Sequence, residues 1–489
     1  MIYKFKPFSF SLELLCAIFT LLIGIFFRLY KLDAQSMWAD ELFSVAVSTI
    51  VGNDDFEIKH PHLLEVSDGF WTWKLADQSP PLYEIILKAW LSIFEASDTT
   101  ARLPSAIFGA FLLLYSFISL KDVLPNKIVL YYIAFLSLSF GLIQYSQEAR
   151  PYALACLLSG MLTVELSRNL IRDIVILPYY VIVLMILLGY THYFGLLVVV
   201  SHALIYTCIF IKQRSFAGIT RLTLVGLFIL PYLLLAKSSI LFTKGMKTSA
   251  STFDELIFGN IHTIFKFAFP SSEGVVLMLM VACLIFVNLM SAPVNQHYKN
   301  IGIVNAISVF IFVTLATIIL NKAYFIHERQ FIFILPSVYL SLAILLGCVS
   351  WKAFPKICII LMVGHFFVTM DKVKTRKTQY REASRYISRN YRSNDVIVTS
   401  WRANRIHYLY YLQKFIDRNI ENRLYSVNSA IDLYTFCSNS LLAKSTKVFV
   451  FFPQAHAAIF ENMKTNCKNL ELVSEKRFIG VGVNVFYTK

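Results

Sequence analysis

Apolar residues run in blocks of about twenty along most of this 489-residue chain, with short polar stretches between them. Eleven blocks are apolar enough to read as membrane-spanning helices, which need roughly 17–25 residues each. They lie near 8–27, 102–120, 128–145, 151–167, 174–190, 193–211, 220–236, 274–291, 301–320, 329–348 and 354–370. The first follows Lys4 and Lys6 and lacks a small-residue cleavage site, so it reads as a retained helix rather than a signal peptide.

Two regions break the pattern. The loop 29–101 holds two stretches, 40–51 and 82–96, whose apolar residues fall on one face at helical spacing. Both read as amphipathic helices of the membrane interface, a depth that suits Trp38, Trp71, Trp73 and Trp90. The tail, 371–489, alternates helix and strand signals. QYREASRYISRN, ANRIHYLYYLQK and QAHAAIFENMK read as helices, DVIVTS and KVFVFFP as buried strands, and the last nineteen residues as a closing hairpin. The expected fold is a polytopic α-helical membrane domain, 1–370, followed by a soluble α/β domain, 371–489. The tail has no G-x-G-x-x-G or P-loop, so nothing in it asks for a nucleotide.

Composition agrees. The chain is 57% hydrophobic and 15% charged, which excludes a soluble protein of this length. Its net charge of +15 is largely topological rather than a sign of nucleic acid. With a cytoplasmic N-terminus every inner loop is basic, from Lys121 and Lys127 to Lys352 and Lys356. The outer loops then carry SQEARPY (146–152), GYTHYFG (189–195) and FIHERQF (325–331), and an odd number of spans leaves the tail outside. Six of the eight cysteines lie in apolar blocks. Cys437 and Cys467 lie in the tail, where they pair if that compartment is oxidising and stay free thiols otherwise.

The residues suited to chemistry gather on the outer side. Asp40 and Glu41 form an adjacent acid pair with no Lys or Arg within eight residues of Asp40. The helix macrodipole accounts for one N-terminal acid more easily than for two. A partly desolvated carboxylate at the bilayer surface makes a competent general base. In SQEARPYAL, Pro151 suits a first helical turn, so Arg150 stands at a helix N-terminus. A cation there opposes the dipole unless an anion is present; the alternatives are a phosphate site, neutralisation by Glu148, or snorkelling to headgroups. Arg329 enters a span in the same way, flanked by His327 and Glu328. His192 and Tyr193 mark another outer helix end, as ligands of a substrate or as structural hydrogen-bonders. His202 and His365, mid-span, read as structural. In QSPPLYE two prolines set a bend that aims Tyr83 at the membrane surface, or simply form a turn.

Taken in order, the acid pair, PPLY with RLPSAIFG (80–83 and 102–109), SQEARPYAL and THYFG resemble the GT-C membrane glycosyltransferases. The nearest branch is the family-39-like group, akin to protein O-mannosyltransferases and the lipid A aminoarabinose transferase. The likeness covers roughly 10–350; the tail matches only in kind. It implies a polyprenyl-phosphate sugar donor, and an envelope lipid, glycan or protein as acceptor, at the outer face of a bacterial cytoplasmic membrane. It also implies Asp40 as base, Arg150 and Arg329 on the lipid phosphate, and Glu148 as a second acid of the site. Ser79 stands where relatives often carry His or Lys, which leaves the donor's identity open. No redox cofactor is implied, and a divalent metal at the acid pair is compatible with the chemistry without being demanded by any ligand spacing.

The expected reaction is a single inverting displacement. The rivals are a lipid-linked sugar flippase or transporter, an O-antigen polymerase or ligase, and an assembly subunit. Transporters place ionisable groups near the midplane, whereas Glu13 and Glu165 read as inner-end acids within reach of water.

Overall fold

The computed structural model describes residues 11–52, 57, 64–77, 79–235, 296–322, 328–349, 360, 363–364, 377–400, 405–427, 436–437, 447–453 and 467–488. The chain divides into two compact units that alternate along the sequence. One is drawn from Met1–Tyr30, Gln78–Tyr83 and Arg102–Lys374, the other from Lys31–Asp77, Glu84–Ala101 and Thr375–Lys489.

The first unit is helical, and the chain is a multi-pass membrane protein. Among the described residues seven helices are long and apolar enough to cross a bilayer, and a bent pair adds an eighth. Most of the expected spans are among them: Leu12–Leu29, Asp98–Leu120, Tyr152–Ile171, Tyr193–Lys212, Phe216–Leu235, Tyr298–Ile318 and Arg329–Gly347. The expected span at 174–190 is a shorter helix, Tyr179–Gly189. The expected span at 274–291 and most of that at 354–370 lie outside the described residues.

The span expected at 128–145 is broken. Asn126–Leu138 and Phe140–Ser146 meet at 55° around Ser139. A break frees the last carbonyls of the upstream helix. Fully buried Arg28 donates to Leu136 O at 2.8 Å and to Gly24 O at 2.8 Å, placing a cation where the helix dipole is negative. The hydroxyl of Ser139 accepts from Leu142 N and bonds to the Tyr339 hydroxyl at 2.9 Å, so the downstream helix starts on a capped residue.

Glu165 differs from expectation. It is buried rather than open to water, and accepts from Tyr115 and Arg168 at 2.5 Å each and from Tyr180. Three donors satisfy its charge, so burial costs little.

The second unit contains a five-stranded sheet in the order β2-β1-β3-β5-β4, with β1 Val396–Ser400, β2 Leu424–Val427, β3 Lys447–Pro453, β4 Leu470–Phe478 and β5 Val481–Thr488. β1 runs parallel to β2 and β3, and β3, β5 and β4 are antiparallel. Val396, Val398, Val448, Val450 and Phe452 share one face with Phe486. On the other, Phe451 packs on Tyr380 and Tyr408 from the helices Tyr380–Asn390 and Arg405–Phe415. Cover on both faces is why DVIVTS and KVFVFFP are near-continuous apolar runs. The helix expected at 454–464 lies outside the described residues.

Cys437 and Cys467 form a disulfide, Cα–Cα 5.3 Å, within that apolar core. Its removal by Cys437→Ser/Cys467→Ser is expected to cost about 2–4 kcal/mol, read as a lower unfolding midpoint that added reductant reproduces in the native protein and leaves unchanged in the double variant.

Within the same unit, Ala39–Thr49 and all but the first two residues of Leu82–Ile93 form as helices, and a further helix, Phe70–Ala76, lies between them in sequence. Trp73, expected at the membrane interface, is buried against Ala46, Val47, Leu64 and Phe70, and its indole donates to Glu65 O at 3.0 Å. Lys74, 1% exposed at its side chain, pairs with Asp77 and, at 3.0 Å, with fully buried Glu84, which accepts from the Ser44 hydroxyl at 2.8 Å.

Candidate active site

The first unit brings several of the quoted motifs together. Leu82 N of PPLY donates to Tyr190 O of GYTHYFG at 3.0 Å. The buried Tyr83 hydroxyl bonds to Ser105 Oγ at 2.9 Å, and Ser105 Oγ donates to Arg150 O at 3.4 Å. Arg150 N in turn donates to Glu148 O at 2.8 Å, and both side chains are buried. Pro151 caps Tyr152–Ile171, so Glu148 and Arg150 stand just ahead of a twenty-residue helix. Its first N–H groups have no partner within the helix and point toward that end.

Tyr152 opens that helix and gathers the remaining residues. Its ring lies 5.8 Å from His192 and 6.0 Å from Phe333, and the Arg329 guanidinium stands 5.7 Å from its centroid. His192 is the N-cap of Tyr193–Lys212: its Nδ1 accepts from Phe194 N at 3.1 Å. A ring that accepts at Nδ1 carries its proton on Nε2, so a neutral His192 presents a donor there. Tyr193, the first residue of that helix, is half-buried. Arg329 lies in a 3-10 turn, Glu328–Ile334, which leads into Leu335–Gly347. His327 and His365 lie outside the described residues. A helix N-terminus with two arginines and an imidazole N–H is suited to an anion.

In the second unit the acid pair opens Ala39–Thr49. Asp40 is part-exposed, whereas Glu41 is fully buried. Glu41 accepts from Trp38 N at 3.4 Å and pairs with Lys377 Nζ at 2.9 Å. The acid pair has no basic neighbour in sequence, and Glu41 finds its cation in a lysine 336 residues downstream. A carboxylate so deep in protein needs a fixed cation. Burial, with the charge of Asp40 added, pushes the Tyr380 phenol up to about 12. Tyr380 therefore stays a neutral hydroxyl near Asp40 across the physiological range.

Among the described residues no group of three or more His, Cys, Asp or Glu side chains is placed to hold a metal ion. Sequence reasoning passed over Ser105, Tyr152 and Phe333 in the first unit and Lys74, Glu84 and Lys377 in the second. Ser105 and Tyr152 lie inside quoted motifs. For Lys377 no local signal exists, because its partner is chosen by tertiary structure.

No protein-family model matches the chain, and no curated protein matches it at a significant level. Solved structures do match. The crystal structure of ArnT from Cupriavidus metallidurans in the apo state aligns with a TM-score of 0.61 and 10% identity, covering 97% of this chain and 98% of that one. The fold is that of ArnT. ArnT bound to undecaprenyl phosphate aligns with a TM-score of 0.59 and 8% identity, over 96% and 97% of the two chains. The ArnT-like fold, with membrane-spanning helices and a C-terminal sheet domain, agrees with the fold expected from the sequence.

Proposed function

We propose that this protein is a glycosyltransferase that moves a sugar from a polyprenyl-phosphate carrier to a hydroxyl of an envelope lipid, glycan or protein, at the outer face of a bacterial cytoplasmic membrane. The observation that carries the reading is the cationic cluster at the start of Tyr152–Ile171, where Arg150 and Arg329 flank a helix N-terminus, on a fold that ArnT shares over nearly its whole length. That ArnT has been seen with undecaprenyl phosphate supports a lipid phosphate as the anion.

In this reading Asp40 removes the proton of the acceptor hydroxyl. The freed oxygen attacks the anomeric carbon from the face opposite the phosphate, and the carbon–phosphate-oxygen bond breaks with its electron pair leaving on the carrier. Configuration inverts. The departing phosphate monoester is already anionic and needs no general acid; Arg150 and Arg329 stabilise the extra charge as it develops. His192 Nε2 and the Tyr193 hydroxyl supply further donors, Tyr83 holds the Arg150 backbone through Ser105, and Glu148 beside Arg150 sets the guanidinium's charge balance. Glu41 completes the acid pair beside Asp40.

The test uses purified protein in nanodiscs, radiolabelled polyprenyl-phosphate sugars and a panel of envelope acceptors. Transfer by the wild type is expected. Arg150→Ala is expected to weaken donor binding by roughly 10–100-fold, the value of one or two charge-assisted hydrogen bonds. Absence of transfer from every donor, with lipid-linked sugar crossing vesicle membranes instead, would replace this reading with a flippase. The Glu165 carboxylate, held by three donors, gives the flippase reading no support from within the span.

A further inference from the structure

We infer that the segment Lys377–Arg381 is a positioning clamp for the proposed base, and that Glu41 is the clamp's anchor rather than a second reacting acid; the inference rests on the transferase reading. Every contact it uses lies inside the second unit.

The residues before Asp40 are held one after another. Arg381 Nη1 donates to Asp33 O at 2.9 Å. Lys377 N donates to Gln35 Oε1 at 3.2 Å, and Arg381 N donates to Ser36 Oγ at 3.0 Å. Met37 N donates to the Tyr411 hydroxyl at 3.0 Å. The residue after Asp40 is held too, because Lys377 Nζ pairs with Glu41 at 2.9 Å. Asp98 locks the two donors to each other: it accepts from Arg381 Nη1 and from the Tyr411 hydroxyl, both at 2.9 Å. The irregular segment 33–38 is thus tied at four points, two on its backbone and two on its side chains, by one guanidinium, two main-chain amides and one tyrosine hydroxyl of the tail.

The burial pattern separates the two acids. Met37 and Glu41 are fully buried, and Asp40 between them is part-exposed. Successive helical residues point about 100° apart, so Glu41 is buried inside the unit while Asp40 stays part-exposed. A buried Glu41 facing Lys377 sets the rotation of the first turn, and that rotation aims Asp40. The arrangement is what a base needs: a fixed backbone on either side and a carboxylate still within reach of a substrate.

The test uses the full-length protein in nanodiscs, with undecaprenyl-phosphate-linked sugar as donor. Lys377→Met is expected to lower kcat by about 100-fold, the cost of an ångström-scale misplacement, with donor KM unchanged. Lys377→Arg should recover most of the rate, since it restores the cation. Hydrogen–deuterium exchange gives a reading independent of catalysis: Lys377→Met should speed amide exchange in residues 33–42 by about tenfold and leave strands β3 and β5 unchanged. Should Lys377→Met fold poorly, Lys377→Met/Glu41→Gln removes the stranded carboxylate and carries the same expectations for exchange. Unchanged exchange would overturn the clamp. Faster exchange at wild-type kcat would overturn its role in positioning. Loss of activity in Glu41→Gln that exceeds the loss in Lys377→Met would return Glu41 to the chemistry. Absence of transfer by the wild type would sink the transferase reading, and the exchange result would still decide whether the tail orders the segment.

Discussion

Asp40→Asn is expected to lower kcat for sugar transfer by about 10²–10⁴-fold, the usual contribution of a positioned general base, with donor binding unchanged. Asparagine keeps the shape of the side chain and its place in the first turn of Ala39–Thr49, so the fold should not respond. It cannot take a proton from a hydroxyl. Steady-state transfer and filter binding of the labelled donor, measured on the same preparation, separate the two effects. An Asp40→Asn enzyme with wild-type kcat would remove Asp40 from the mechanism and move attention to Glu148. A parallel loss of donor binding would show that the residue contacts the donor rather than the acceptor.

The largest effect on stability is expected from Lys74→Met. Glu84 is fully buried, and besides Lys74 it is held by the Ser44 hydroxyl. One hydroxyl does not compensate a buried carboxylate, so removing the lysine should destabilise the second unit by about 3–5 kcal/mol. The reverse deletion is milder: in Glu84→Gln the ammonium retains Asp77, and the glutamine oxygen still accepts from Ser44. The double variant Lys74→Met/Glu84→Gln leaves no buried charge at Glu84 and should regain most of the loss. Unfolding followed by the fluorescence of Trp73, whose ring lies in the same helix as Lys74, reports this unit. Equal midpoints for Lys74→Met and the wild type would mean that water reaches Glu84.

The membrane helices were legible because a bilayer demands about twenty apolar residues at a time and the chain supplies them. β1 and β3 were legible for a related reason: strands covered on both faces leave unbroken apolar runs. Three features were not. The break at Ser139 falls in SLSFG without a proline, and tertiary contacts hold it, through Arg28 below and Tyr339 beside it. β2 is four residues after a 3-10 turn, too short for a periodic signal. Phe70–Ala76 has seven residues and a glycine N-cap, and its aromatics look like an interfacial belt when they are partly a core. At the site, the motifs around Arg150 were readable because each lies at a helix end that hydropathy marks. The partner of Glu41 was not, since ion pairing over 336 residues leaves no trace in local spacing.

The alternation of the two units along the chain has a consequence for biosynthesis. Residues 31–77 and 84–101 leave the ribosome early, but Lys377, Arg381 and Tyr411, which hold the acid segment, follow about 280 residues after position 101. At about 5–20 residues per second that gap lasts roughly 14–55 s. Throughout it, Glu41 has no lysine and Ser36 has no main-chain donor from the tail. A nascent or prematurely terminated chain therefore holds its membrane helices and its arginines without the contacts that order residues 33–41. In the transferase reading such a chain would hold the donor site without the base, and only a chain that includes the tail would be armed.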